Sequence, residues 1–394
     1  MMNSIELFAG VGGLATGLAE AGFTHDAVIE WDDVACETIR FNKQRGHPLV
    51  CDWRVIEGDV REMDYKSLGE IALVAGGPPC QPFSIGGKHK GREDNRDMLP
   101  VAVDIVRQTR PRAFVFENVK GLTRAKYETY LDYVLLRLSY PEIMRKDDEN
   151  VNEHLDRLEQ HKTDGSIEGL SYNVIFRVLN AADYGVPQHR HRVFIVGFRN
   201  DVGADWHFPR PTHTEDALLY DQWVTGEYWE RHEVPRGDRP AIPKRKLRAI
   251  EKLKSGIAEF MGKPWQTVRD AIGDLPDPRE CDIEYLNHEY NDGARIYPGH
   301  TGSPLDKPSK ALKAGVHGVP GGENMLRRVD GSVRYFTVRE AARIQTFPDD
   351  YAFVGAWSRS MRGLGNAVPV KLASIIGQSI AQRLAGDQLR RTAA

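Results

Sequence analysis

Five short apolar runs near the start of the chain constrain its fold more than any other feature. They are SIELFAG (4–10), DAVIEW (26–31), RVIEGDV (54–60), IALVAGG (71–77) and RAFVFENV (112–119), and each ends at or near Gly, Asp, Glu or Asn. Helix-length segments lie between several of them, including GLATGLAEAG (13–22) and DMLPVAVDIVRQTR (97–110), with apolar residues three and four apart. Strand–helix alternation predicts an α/β fold built on a mostly parallel sheet with helices on its faces. Ligands in such a fold sit at the carboxyl ends of the strands, where these glycines and acids fall.

The rhythm breaks at 124–170, a charged stretch that predicts one or two amphipathic helices with a solvated face, and resumes with YNVIFRVL (172–179) and RVFIVGF (192–198). Beyond 200, Pro and Gly become frequent and Trp, Tyr and His are scattered, which predicts a smaller, loop-rich second domain. Helical patterning returns near 335 with TVREAARIQTFP and VKLASIIGQSIAQRL. The expected division is therefore 1–200, 201–334, and a C-terminal segment 335–394 that packs back on the first domain. A formal charge of −3 does not announce a nucleic-acid partner, although local basic patches can serve one. Four cysteines, none in a C-x-x-C pair, argue against a metal site or a disulfide framework. The N-terminus shows no charged segment followed by an apolar one, and no apolar run approaches membrane-spanning length, so a cytoplasmic location is expected.

FAGVGGL (8–14) follows the first strand and opens a helix. Gly10, Gly12 and Gly13 either serve tight packing or let the backbone approach a ligand at the helix start. Glu30 lies twenty residues after Gly10 at the end of the second strand, where an acid accepts hydrogen bonds from ribose hydroxyls. Trp31 is either core or a stacking surface for adenine, and Asp59 ends the third strand near an adenine amino group. Together these favour an adenosine-type cofactor without separating a nicotinamide dinucleotide from S-adenosylmethionine.

GGPPCQPFS (76–84) sets Cys80 on a stiff loop just past the fourth strand. A free cysteine is more often a small buried residue than a nucleophile. Its place beside the glycine loop, and the lid-like IGGKHKGREDNRD (85–97) that follows, favour the nucleophile. Glu117 ends the fifth strand in FENVKG, as a structural carboxylate or as an acid desolvated enough to share a proton. Arg190 and Arg192 in QHRHRVFIVG alternate at strand period, which places both on one side as the strand begins. They are either solvated or hold Glu117, a base or a phosphate.

LFAGVGGL, EW (30–31), GDV (58–60), GGPPCQPFS, FENVKG, QHRHRVFIVG, TVREAARIQTFPDDY (337–351) and GNAVP (365–369), in this order, resemble the cytosine-C5 DNA methyltransferase family of bacterial type. The resemblance implies a Rossmann-like S-adenosylmethionine-dependent catalytic domain with a target-recognition region at about 200–330. It implies that Cys80 is the nucleophile, Glu117 the acid of the ENV motif, and Arg190 and Arg192 its catalytic arginines. Phe8, Gly10, Gly12, Glu30, Trp31, Asp59, Val60, Pro78 and Leu99 match cofactor contacts, and Asn366 and Val368 match contacts at the methionine end. The implied reaction is methyl transfer to C5 of a cytosine flipped out of duplex DNA, with Cys80 added to C6. Such an enzyme commonly acts as a monomer and pairs with a separate restriction endonuclease. Lys88, His89, Lys90 and Arg92 are candidates to close on the DNA backbone, with Gly86 and Gly87 as hinges. PKRKLR (243–248) is read as a phosphate contact, and base readers are expected in HTGSPLDKPSKALKAGVHGVPGGEN or the loops before it. The insert at 124–170 departs from the family's compact core.

The same catalytic residues are compatible with a tRNA methyltransferase of this family, although the long 200–330 segment favours duplex DNA. An inactive binding module is opposed by the intact set Cys80, Glu117, Arg190 and Arg192. A nicotinamide-dependent oxidoreductase leaves Cys80 and Glu117 without a task.

Overall fold

From Ser4 onward the chain's first strand, β1 (Met2–Leu7), alternates polar residues with large apolar ones, and the two sets face different layers. Ile5 and Leu7 join a large core with Ile29, Val74, Phe114, Phe116 and helix residues from 99–138. Ser4 and Glu6 face the helix α1 (Gly13–Glu20) instead. The computed structural model describes residues 2–79, 97–165, 169–202, 205–257, 261–280, 285–315 and 324–393.

The strands β2 (Phe23–Glu30), β3 (Val55–Glu57), β4 (Leu73–Gly76), β5 (Ala113–Val119), β6 (Tyr172–Asn180) and β7 (His191–Arg199) complete a seven-stranded sheet of order β3-β2-β1-β4-β5-β7-β6. Strands β1 to β5 pair in parallel, and β7 runs antiparallel to β5. The connecting helices are α2 (Asp33–Gln44), α3 (Leu99–Thr109), α4 (Glu128–Ser139) and α5 (Val151–Asp164). The chain reverses its direction of winding between β1 and β4, the position at which open α/β sheets bind ligands. Gly76 on β4 is obligatory there, because a Cβ would lie 2.6 Å from the Leu7 carbonyl oxygen.

The expected charged insert is two helices, α4 and α5, joined by Tyr133, Leu136 and Leu158. An Asn150–Glu153 capping box starts α5, satisfying amides that would otherwise lack partners.

The chain divides into two compact units, one of 1–179, 191–208 and 374–394, the other of 180–190 and 209–373. These limits differ from the expected 200/201 and 334/335. Residues 335–373 belong to the second unit, and only the segment from Ser374 packs in the first. There Gly377 lies against Leu18 and Ala21, and Arg112 holds the Leu384 carbonyl and Asp387, both at 2.9 Å.

The second unit carries β8 (His213–Thr214) paired with β9 (Lys263–Pro264), and a small sheet of β10 (Ser303–Pro304), β11 (Met325–Arg327) and β12 (Val333–Tyr335). Its helices are α6 (Glu215–Tyr220), α7 (Glu227–Arg231), α8 (Leu247–Lys254), α9 (Val268–Ile272), α10 (Val338–Ile344) and α11 (Trp357–Asn366). A last helix, α12 (Val370–Ala393), starts in the second unit and continues into the first.

Candidate active site

The glycine loop after β1 is shaped by three left-handed residues, Phe8 (φ 56°), Gly10 (φ 55°) and Gly12 (φ 83°). Phe8 has a Cβ and holds this conformation at a cost of ~1–3 kcal/mol, the kind of strain that clusters at ligand sites. Glu30, buried at the end of β2, latches the loop. Its carboxylate accepts Gly10 N at 2.7 Å and the Trp31 and Asp32 amides at 2.9 Å each. A carboxylate offers about four acceptor positions, so three backbone donors leave about one for a ribose hydroxyl. Glu30 thus shapes the loop as well as facing a ligand, a role its position at the strand end did not disclose.

The expected cofactor residues of the first unit gather at the carboxyl ends of β1, β2, β3 and β4. Trp31 is 75% exposed although its neighbour Glu30 is buried, so the indole is not core. A Cβ added at Gly10 or Gly58 meets nothing within 4 Å, which leaves open space above both turns. Asp59 lies two residues beyond the end of β3, and its carboxylate is held by Arg61 Nε at 2.9 and 3.0 Å. That bond keeps the Asp59 carboxyl below the usual range, so it stays an anion and an acceptor. Val60 is buried and Leu99 opens α3, fully buried. An exposed indole, an acid with spare acceptor capacity and an unobstructed glycine loop fit an adenosine-type group.

Pro78 and Pro79 close the described part of the cysteine loop. Cys80 and the lid residues Gly86, Gly87, Lys88, His89, Lys90 and Arg92 lie outside the described residues. The buried Asn118 donates from Nδ2 to the Pro78 carbonyl at 3.2 Å, and Pro79 O accepts Met98 N at 3.1 Å. Asn118, the middle residue of the ENV motif, therefore fixes the loop two residues before Cys80. The motif's own letters were the signal for this, and the sequence reading assigned Asn118 no role.

Glu117 stands beside this loop on β5: a Cβ at Gly77 would sit 3.5 Å from its Oε2. Register pairs Val119 with Arg192 on β7, and Arg192 Nε reaches Glu117 Oε1 at 2.7 Å in a largely buried ion pair. Arg190 has other partners. It precedes β7, so the expected period-two pairing of the two arginines along the strand does not hold. Its guanidinium is wholly buried in the second unit and donates to Leu312 O at 2.9 Å and Gly365 O at 2.7 Å.

Gln188 and Gln345, also wholly buried, extend this network. Gln188 donates to Gln345 Oε1 at 2.9 Å and accepts Leu312 N at 3.0 Å, while Gln345 donates to Leu364 O and, at 3.1 Å, to Ala367 O. The network holds the carbonyls on either side of the exposed Asn366, the last residue of α11; Val368 follows, buried. Sequence reading missed both glutamines, because their partners are backbone atoms far along the chain. Among the described residues no group of His, Cys, Asp and Glu is arranged to hold a metal, and no helix is long and apolar enough to cross a membrane.

The family profile described as C-5 cytosine-specific DNA methylase matches residues 2–140 and 149–382. Between these two spans it leaves out 141–148, which lies between α4 and α5 inside the stretch 124–170. Type II methyltransferase M.NgoMIV of Neisseria gonorrhoeae is 31% identical over 386 residues, covering 97% of this chain and 98% of the relative. Type II methyltransferase M.Eco47II of Escherichia coli is 32% identical over 389 residues, covering 96% and 79%. Among solved structures, Spodoptera frugiperda DNMT2 (a triple mutant) superposes with a TM-score of 0.54 at 17% identity, covering 96% of this chain and 99% of that one. The S. pombe Dnmt2 methyltransferase matches with the same score and identity, covering 98% and 99%, and these two likenesses speak to the fold. With its profile match running along nearly the whole chain and a relative matched over almost its full length, the chain belongs to the C-5 cytosine-specific DNA methylase family.

Proposed function

We infer that the protein transfers a methyl group from S-adenosylmethionine to C5 of a cytosine within a specific duplex DNA sequence, as the modification enzyme of a restriction–modification pair. The single observation that carries the chemistry is the buried Glu117–Arg192 pair, 2.7 Å apart, beside the loop that leads to Cys80.

In this reading the thiolate of Cys80 adds to C6 of a flipped cytosine, which makes C5 nucleophilic. Glu117 holds a proton at N3 and so relieves charge pushed onto the ring, and Arg192 fixes the orientation of its carboxyl group. Asn118 keeps the Pro78 carbonyl, and with it the approach to Cys80, in place. After methyl transfer a base removes the C5 proton and the thiol is expelled, so atoms and charge balance. S-adenosylmethionine supplies the electrophilic methyl group. Glu30, Trp31 and Asp59 bind its adenosine portion, with Phe8, Gly10, Gly12, Val60, Pro78 and Leu99 around them; Asn366 and Val368 belong to the same set. Arg190 acts in this reading by holding backbone, not by touching the base. The second unit supplies target recognition, the protein works as a cytoplasmic monomer, and its nuclease partner acts separately.

Incubation with 5-fluorocytosine duplex DNA and S-adenosylmethionine tests this. Wild type forms a covalent adduct that survives denaturation, and Cys80→Ala forms none. Bisulfite sequencing of the expression plasmid gives the modified site. Modification of tRNA but not plasmid in parallel assays overturns the assignment of substrate.

A further inference from the structure

The chain that leads to Cys80 leaves β4 through Pro78 and Pro79, and the next described residue, Asp97, leads straight into α3. The two feet of this excursion meet, because Met98 N donates to Pro79 O at 3.1 Å. Asp97 is buried beside that contact, and its two carboxylate oxygens serve different elements. Oδ1 accepts Leu99 N, in the first turn of α3, at 3.3 Å, and Oδ2 accepts the hydroxyl of Tyr130 on α4. The start of α3 depends on acceptors from outside the helix. Met98 at its N-cap offers no side-chain bond to the exposed amides, and Pro100 in the first turn carries no N–H.

A cavity of about 350 Å³ opens beside the pair, with Asp97, Tyr130, Asp104 and Arg137 in its wall. It has room for several waters, and water can satisfy a carboxylate without help from a phenol. What the hydroxyl adds is direction. Its ring is buried in the same core as Leu99 and Leu122, so the donor itself is fixed. A charge-assisted bond from a fixed donor holds the carboxylate in one orientation, and with it the Leu99 amide and the chain at Met98. Asn118 holds the opposite foot through Pro78 O at 3.2 Å.

We propose that Asp97 and Tyr130 are positioning residues for methyl transfer. Acting through backbone, they set the Pro79 carbonyl, and so the thiol next in sequence, against Leu99 of the cofactor set. This rests on the reading that Cys80 is the nucleophile and S-adenosylmethionine the donor. Asp97 ends the lid-like stretch 85–97, where composition alone gave its carboxylate no task.

Full-length variants are assayed on a duplex bearing the bisulfite-mapped site for kcat, for KM of the duplex and for the rate of adduct formation with 5-fluorocytosine DNA, next to melting temperature. Tyr130→Phe keeps the ring in the core and loses only the hydroxyl. It lowers kcat and the trapping rate together, by on the order of tenfold, and leaves KM for DNA unchanged. Asp97→Ala shows at least that loss, and adding Tyr130→Phe to it costs nothing more, because the two form one contact. Asp97→Asn keeps an acceptor oxygen and retains more of the rate than Asp97→Ala. The control is Tyr133→Phe, one turn along α4, whose hydroxyl meets His154 Nδ1 of α5 at 2.9 Å. It lowers the melting temperature and leaves kcat at the wild-type value. Losses that multiply in the double variant, an equal loss of kcat in the control, or a lower melting temperature with unchanged kcat in Tyr130→Phe overturns the positioning role. Wild type is scored for methylation and trapping alongside. If wild type does both while Tyr130→Phe keeps its kcat, the positioning role alone falls; if wild type does neither, both readings fall.

Discussion

Ala15, near the start of α1, is held at both ends by buried titratable side chains. Glu6 of β1 hydrogen-bonds its backbone from within the core, and His25 Nε2 meets its carbonyl at 2.8 Å while Nδ1 meets Ser4 Oγ at 2.9 Å. Both acid–base groups are driven toward neutrality. Burial raises the Glu6 carboxyl well above the usual carboxylate range, and burial lowers the His25 imidazole to about 4. The two effects have opposite signs along the pH axis. Glu6 is neutral in both states below its unfolded value near 4.5, and its contribution is lost as pH rises from there toward the folded value. His25 contributes fully above its unfolded value near 6.5, and that contribution is lost as pH falls from there to about 4. Glu6→Gln is therefore expected to match wild type in melting temperature at about pH 4 and to exceed it increasingly toward about pH 7. A pH series of thermal melts checks this, and a constant difference across the series sinks it. None of this was legible in the sequence, where SIELFAG reads as a strand and the surroundings of its acid are unknown. The same limit explains Arg190 and Arg192: spacing gave a shared strand face, but the strand begins between them.

At the scale of elements, the C-terminus of α11 shows how distant side chains complete local structure. The last turn of a helix leaves carbonyls without intrahelical partners, and here neither a basic residue in that turn nor a glycine after it supplies a cap. Arg190 and Gln345 do so from other parts of the second unit, on Gly365, Leu364 and Ala367. The backbone at Lys313–Ala314 also packs on this helix end, so closely that a Cβ at Gly365 would lie 2.3 Å from Ala314 N. Arg190→Met strands two buried carbonyls, those of Leu312 and Gly365, so at ~1–3 kcal/mol each the second unit should lose ~2–6 kcal/mol. Urea unfolding followed by tryptophan fluorescence measures it, and a loss under about 1 kcal/mol would show that water or other donors replace the guanidinium. Strands of the large sheet were readable because they are apolar runs, most of them buried (β3 and β6 are only partly so), and their observed ends fall close to those expected. The second unit's strands of two or three residues are too short to carry a pattern and are made by tertiary pairing alone.

At the scale of the whole molecule, the chain passes between its two units at 179/180, 190/191, 208/209 and 373/374. Sequence texture located a change near 200 but not these crossings, because compactness depends on which distant segments pack together. Within the first unit, Trp206 Nε1 bonds Ser379 Oγ at 2.9 Å, and Gly377 packs on Leu18 so closely that a Cβ would lie 2.9 Å from the leucine's methyl carbon. A chain ending at 373 lacks these contacts and leaves α1 and Arg112 without their partners. It is expected to lose near-ultraviolet circular dichroism and measurable S-adenosylmethionine binding by calorimetry; retention of both would show that the final segment is dispensable.

The late arrival of that segment also sets an order of events during synthesis. A ribosome adds ~5–20 residues per second, so β1 to β7 wait on the order of ten seconds between leaving the exit tunnel and meeting Ser374–Ala394. Throughout that interval the surface of α1 at Leu18 and Ala21 is without the segment that packs on it in the folded chain. The length of the second unit thus sets the delay between the making of the first unit's sheet and the making of the segment that packs on it.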